Sequence, residues 1–319
     1  MARATFLLSA RAHSGGQRLL PDVGALLAKG DHDDTPALND DSAGAAARAQ
    51  LRRHFRLVPD HWPLAALTRR IDAGDADSAC WLRADPAHLR AGINGATLLA
   101  VGDMLQLSAV DADALLRPLK PLLGDLGFTI DAPAPGHWYL RLPRDAKPPP
   151  LAEPREALGA DVFELLPEGE AGRRWRSLLS EAQVVLHHHP VNAARTAAGL
   201  LPVNSLWFWG GGVLPDEVST AHESVLSNDE VLRALVSEPS TSALLPAAYQ
   251  TPPSDTLFDL RDMRDLVEIQ ATWLQPALAD LAAGQIQSVQ LDFEDGRVIN
   301  LAKRHRWRFW RKPMHRLET

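Results

Sequence analysis

The chain has 319 residues, 45% of them hydrophobic and 23% charged, a globular balance that excludes a wholly disordered protein. At about 100–200 residues per domain, its length predicts two domains or one large domain with an insertion. A net charge of −7 excludes wholesale nucleic-acid binding, and the single cysteine, Cys80, excludes both a disulfide framework and a cysteine metal cluster. No apolar run approaches the roughly 20 residues needed to cross a bilayer. The opening MARATFLLSARAHSGG holds too short an apolar stretch for a secretory leader, so a cytoplasmic location is expected.

In chain order, Thr5–Leu8 reads as a strand and Asp22–Ala28 as a helix. The acidic stretch Gly30–Ala47 reads as a loop passing into a helix at Ala45–His54. Ala96–Val101, His137–Leu142 and Val203–Trp209 are strands by length and composition. Between the first two, Ser108–Arg117 repeats Leu and Ala at helical spacing, with Ser108 as the cap and Pro118 as the expected end. Consecutive prolines in 143–154 mark a surface linker. Arg261–Ala283 predicts a helix closed by Gly284. Ser288–Phe293 and Arg297–Leu301 flank Asp295-Gly296, the dipeptide of a tight primed turn. Strands alternating with helices favour an α/β arrangement.

The densest stretch is Leu186–Pro215. Pro190 suits a first helical turn, and Asn192 and Arg195, three apart, share one face near the positive end of the dipole. Val203–Trp209 then runs into Gly210, Gly211 and Gly212. Glycines after a strand let amide N–H groups approach an anion, which arginine and asparagine also bind. Asn192, Arg195, Asn204, Gly210, Gly211 and Gly212 therefore form a candidate anion site. The competing reading is structural: Trp207 and Trp209 fill a core and the glycines relieve crowding. Adjacent histidines 187–189 would point to alternate faces of a strand and cannot all grip one ion. His222 has no second histidine at zinc-protease spacing, no Gly-x-Ser-x-Gly elbow is present, and Cys80 beside Trp81 reads as a small buried filler.

His189, Pro190, Asn192, Arg195, Gly199, Pro202, Asn204, Trp207, Trp209, Gly210, Gly212 and Pro215 resemble the HPVNxxRxxGxxPANxxWxWGxGxxP run of archaeal-type cofactor-independent phosphoglycerate mutases. Leu166–Leu179 and Trp62–Pro86 look like further stretches of that family, so the likeness runs from about residue 60 to 215. The chain is also similar to a shorter bacterial group labelled regulatory protein of the RpfE type. The resemblance implies an alkaline-phosphatase-like mixed sheet with flanking helices and a middle insertion. It assigns residues 1–75 and 216–319 to the core and 76–215 to the insertion domain.

The same family holds two divalent metals with aspartates and histidines, and a serine takes the phosphoryl group. Here the opening strand runs into Leu8-Ser9-Ala10 instead of an Asp-Gly. The late metal motif is replaced by Leu291–Gly296, with no histidine before His305, and the arginine-rich stretch by Gly102–Ala109. These departures lead to the expectation of a mutase-like protein that lost the metal-dependent reaction. It would act in regulation by binding a small anionic ligand or a protein, with no catalytic residue, metal or cofactor. An active metal-dependent mutase is the alternative. A second is a nucleic-acid or membrane binder working through Lys303–Arg316, where arginines alternate with aromatics and no acid intervenes. The same alternation read as a closing strand would bury Trp307 and Phe309.

Overall fold

The computed structural model describes residues 2–34, 45–92, 95–236 and 241–317. Its strands are β1 Arg3–Leu8, β2 Asp31–Asp34, β3 Phe55–Val58, β4 Cys80–Ala91, β5 Ala96–Val101, β6 Thr129–Ala134, β7 His137–Leu142, β8 Ser205–Val213, β9 Glu217–Thr220, β10 Ser224–Leu226, β11 Ser242–Ala243, β12 Thr256–Asp259, β13 Ser288–Phe293 and β14 Arg297–Ala302. They fall into two compact units, one of Met1–Val58 with Glu217–Thr319, the other of Pro59–Asp216. The fold class is mixed α/β. The helix Leu64–Asp72, assigned by resemblance to the core segment 1–75, instead packs on β4 and β8 of the second unit. Its buried Leu64 to Thr68 run needs that apolar surface, and this moves the boundary to Val58.

The first unit is built on a seven-stranded sheet of order β11-β10-β12-β1-β13-β14-β2. Strands β11, β10, β12, β1 and β13 run parallel, and β13-β14-β2 pair antiparallel. One face carries Phe6, Leu8, Phe258, Leu291 and Phe293 into a core closed by Trp273 and Leu278. The hairpin loop between β13 and β14 has three residues, Glu294 to Gly296, with Gly296 at φ 88° taking the left-handed position. β2 lies within the stretch expected to be a loop, of which 35–44 falls outside the described residues. Four polar residues, Asp-His-Asp-Asp, make a strand here because they pair the edge of β14, and Arg297 holds both Asp34 and His32.

In the second unit β4 is central, flanked by β5 and β7 on one edge and β8 on the other. The helix capped by Ser108 does not stop at Pro118: it runs Ala109–Gly124 through Pro118 and Pro121. Leu115, Leu116, Leu119 and Leu123 are buried, so tertiary packing outweighs the backbone bonds that the prolines remove. In the first unit, the expected helix from Arg261 begins only at Leu266, capped by Asp265, with one π turn, Gln270–Leu274, ahead of Pro276. Cys80 is buried, as a filler should be.

The tail overturns the expectation of a closing strand. β14 ends at Ala302, a 3-10 turn follows at Lys303–Trp307, and Trp307, Phe309 and Trp310 are 67%, 84% and 66% exposed. Both neighbours of β14 run out here among the described residues: Ser288, the first residue of β13, pairs with Ala302, and Asp31, the first residue of β2, pairs with Asn300. His305 and Leu317 are buried instead, and Met314 packs on the core. Leu317→Ala should therefore cost about 2–5 kcal/mol in urea unfolding, whereas Trp310→Ser should stay within about 0.5 kcal/mol. Equal losses would contradict this division of labour.

Candidate functional site

The expected anion residues act as braces. Asn192 sits in the first turns of the helix Pro190–Ala197, capped by His189, whose ring accepts from the Val191 amide. Its Nδ2 donates to the carbonyls of Leu186 and Val203 (2.7 and 2.8 Å), and its Oδ1 accepts from Val203 N. Arg195, 3% exposed, donates to the carbonyls of Leu201 and Leu105 and lies 3.7 Å from Asp111. Asn204 closes a two-way amide pair with the backbone of Leu89. The side-chain donors expected to face an anion thus mostly go to the chain's own carbonyls, while the buried Arg195 Nη1 makes no hydrogen bond and faces Asp111.

The three glycines are not a loop after a strand but lie inside β8, where Gly212 pairs with Trp81. A Cβ on Gly210 would sit 3.0 Å from Ala65 N, one on Gly211 2.5 Å from Pro148 Cγ, and one on Gly212 2.7 Å from Pro63 Cβ. Close approach of the chain around residues 63–65 and of the proline-rich segment requires them. Trp207 and Trp209, two apart on β8 and each 3% exposed, fill one face of the sheet as the structural reading expects. His187 ends a helix, Gly169–His187, not a strand. Replacing Arg195 by Ala should lower stability by about 1–3 kcal/mol for each carbonyl left unsatisfied. An unchanged melting temperature would contradict the bracing role.

The chemically unusual cluster lies in the first unit, on the polar face of the seven-stranded sheet. Leu7 of β1 is in register with Asp259 of β12 on one side and Asp292 of β13 on the other. Aligned residues of neighbouring parallel strands project to the same face, so two carboxylates flank Leu7 there. They are 7% and 1% exposed, and a buried carboxylate must be paired. Arg261 Nε and Nη2 grip Asp259 at 2.7 and 2.9 Å, Ser227 Oγ adds a third donor at 2.7 Å, and Nη2 also reaches Asp229. Arg53 Nε and Nη2 grip Asp292 at 2.9 and 2.5 Å. His54 Nε2 lies 3.0 Å from the same carboxylate, and its Nδ1 lies 3.0 Å from His222 Nε2.

Burial raises both carboxyls, but the arginine hydrogen bonds and charges outweigh it, and each is held below the usual carboxylate range. With Asp292 ionised, His54 Nε2 carries the donated proton. Burial, followed by the neighbouring His54, pushes His222 down to about 4, so the line Asp292–His54–His222 ends on a neutral imidazole at pH 7. It is linear: His54 spends its two nitrogens on two different partners, and the three groups do not converge on one point. Among the described residues no group of three or more His, Cys, Asp or Glu could hold a metal ion. Both oxygens of each carboxylate are already acceptors for guanidinium, which does not fit a pair of divalent ions.

In the sequence, Asp292 stands out only as a remnant of the late motif, and His222 only as a lone histidine. Arg53, His54, Asp259 and Arg261 carry no signal there, although two apolar strands with an aspartate at or next to their end, TLFD and SVQLDF, are a hint. The cavity beside the carboxyl ends of β1 and β13 holds about 30 Å³, room for one water. In the second unit a groove of about 750 Å³ is lined by Leu89, Phe163, Arg176, Gln183, His187 and His188.

No family model matches the chain. A probable 2,3-bisphosphoglycerate-independent phosphoglycerate mutase of Geobacter sulfurreducens is 28% identical over 174 residues, 54% of this chain and 42% of that protein. The corresponding mutase of Methanosarcina barkeri is 31% identical over 113 residues, 34% of this chain and 28% of that protein. The chain is related in sequence to cofactor-independent phosphoglycerate mutases. The matches span less than half the length of these curated relatives. A cofactor-independent phosphoglycerate mutase of Thermoplasma acidophilum aligns over 95% of this chain and 90% of its own, at 15% identity and a TM-score of 0.41. A Pyrococcus horikoshii protein aligns over 94% and 87%, at 11% identity and a TM-score of 0.49.

The relay has a pH signature. The unfolded chain protonates His222 near pH 6.5 while the folded protein resists to about 4, so stability rises with pH across that window and is lost on acidification. Asp259 and Asp292 add stability that is present above about pH 4 and is lost as the pH falls through their lower folded values. Urea unfolding should show a drop of about 2 kcal/mol from His222 between pH 7 and pH 5. His222→Asn should flatten that drop, and parallel profiles for parent and variant would disprove the assignment.

Proposed function

We propose that this chain is a phosphoglycerate mutase-like protein without the metal-dependent mutase reaction, acting in regulation as the RpfE-type proteins it resembles are named to do. The observation that carries the reading is the pairing of Asp259 and Asp292 with Arg261 and Arg53. Two-metal phosphoryl transfer needs carboxylate and imidazole lone pairs free to hold ions about 3.5–4 Å apart. Here a delocalised cation takes both oxygens of each acid, and a metal would have to displace it from a buried, bidentate pair. Leu7, between the two acids, supplies neither nucleophile nor ligand.

A binding role needs a surface, and the groove in the second unit supports one. Its volume lies within the roughly 300–1,000 Å³ usual for small ligands. His187 and His188 on its wall suit a small phosphorylated or carboxylate ligand or an acidic segment of a protein partner, and Arg176, whose Nη1 and Nη2 donate to the carbonyls of Pro167 and Gly169, adds positive charge there. Purified protein should take up no stoichiometric manganese in calorimetry and should not interconvert 2- and 3-phosphoglycerate in a coupled assay. Turnover abolished by chelation and restored by manganese would sink this reading in favour of an active mutase.

A further inference from the structure

We propose that the segment Lys303–Lys312 docks this protein on an anionic membrane surface, with Trp307, Phe309 and Trp310 entering the headgroup region. Three large aromatics within four residues stand 66–84% exposed, whereas the segment that carries them is firmly held. Arg308 Nη1 donates to the carbonyl of Lys29 (3.0 Å) and to Asp31 (2.6 Å). Met314 N donates to the Gly24 carbonyl, and Leu19 N to that of His315. A Cβ on Gly24 would lie 2.0 Å from Met314 O, so a glycine is what admits this docking of the tail. The exposure of the rings is therefore built into the fold.

Charge complementarity names the occupant. Residues 303–316 hold seven Lys and Arg and no acid, while the remainder of the chain carries −14. The net acidity of the remainder opposes approach to an anionic bilayer while this segment favours it, which orients the molecule. Tryptophan is enriched at membrane interfaces, where its apolar body and N–H both find partners, and lysine and arginine meet lipid phosphates beside it. A second copy of the chain is disfavoured, because a symmetric contact would set the same cations against each other. A single nucleic-acid strand needs open, parallel ring faces on which bases stack. Here Phe309 and Trp310 meet edge to face at 81° and 5.5 Å, and the Arg306 guanidinium covers Trp307 at 4.8 Å. The rings form an apolar knob rather than a stacking ladder.

The test is flotation of the full chain with vesicles of equimolar phosphatidylglycerol and phosphatidylcholine, and with phosphatidylcholine alone. Binding should favour the anionic vesicles by about tenfold or more and weaken steeply with salt, since each basic residue near such a surface contributes about fivefold. The triple variant W307S/F309S/W310S should lose about tenfold or more in vesicle affinity and keep the parent melting temperature, because the removed rings are solvated. Arg311→Glu with Lys312→Glu should lose binding to the anionic vesicles while both ring and fold remain. A parent that floats with neither vesicle, or a triple variant that floats as well as the parent, would overturn the proposal. So would retention by an oligothymidine strand with which vesicles do not compete, or a dimer that the triple variant abolishes in the absence of lipid binding.

Discussion

Two carboxylates buried at one level of a parallel sheet, one on either side of Leu7, cannot exist without cations, and much of the first unit is arranged to supply them. Asp292 draws Arg53 and His54 onto the polar face of the sheet. That places the end of the helix Ala45–Arg52 there, and Gln50 ties the same helix to the carbonyls of Leu8 and Asp292. Asp259 draws Arg261 back onto its own strand, which is why residues 260–265 form a turn and the helix waits until Leu266. Removing one partner from such a buried pair costs about 3–5 kcal/mol, far more than a surface pair contributes.

The partner chosen for a buried acid also sets its chemistry. A guanidinium neutralises charge and fixes geometry, but it offers no open coordination position and no bound water. The imidazole line from Asp292 through His54 to His222 is held neutral at its outer end by burial, so it contributes acid sensitivity to stability rather than a strong base. The polar face thereby reads as a rigid support, and the proposal of a binding protein rests on it.

The second unit solves a different problem, that of bringing backbone to backbone. The strand β8 passes under residues 63–65 and the proline-rich segment so closely that a Cβ at any of three consecutive positions would crowd them. Asn192 and Arg195 then close the turn before β8 by capping carbonyls that the helix ends and the loop leave open. The motif shared with the mutases is, in this chain, a packing device: each polar residue in it satisfies backbone, and each tryptophan fills a face.

What the sequence by itself determined was local. Alternating apolar runs located β1, β5 and β7, the Asp-Gly located the β13–β14 hairpin, and Ser108 marked the start of its helix, because each signal depends on a few neighbouring residues. Only the tertiary structure decided that Asp31–Asp34 is a strand, since its stabilisation comes from Arg297 and the edge of β14, more than 260 residues away. It likewise decided that a helix runs through Pro118, that Gly210 to Gly212 serve a close contact, and that Trp307, Phe309 and Trp310 face solvent. The pairing of Asp292 with Arg53 and His54, some 240 residues apart in the chain, was invisible for the same reason. Periodicity reports which side chains are buried, but the partner of a buried charge is chosen by the fold that brings it near.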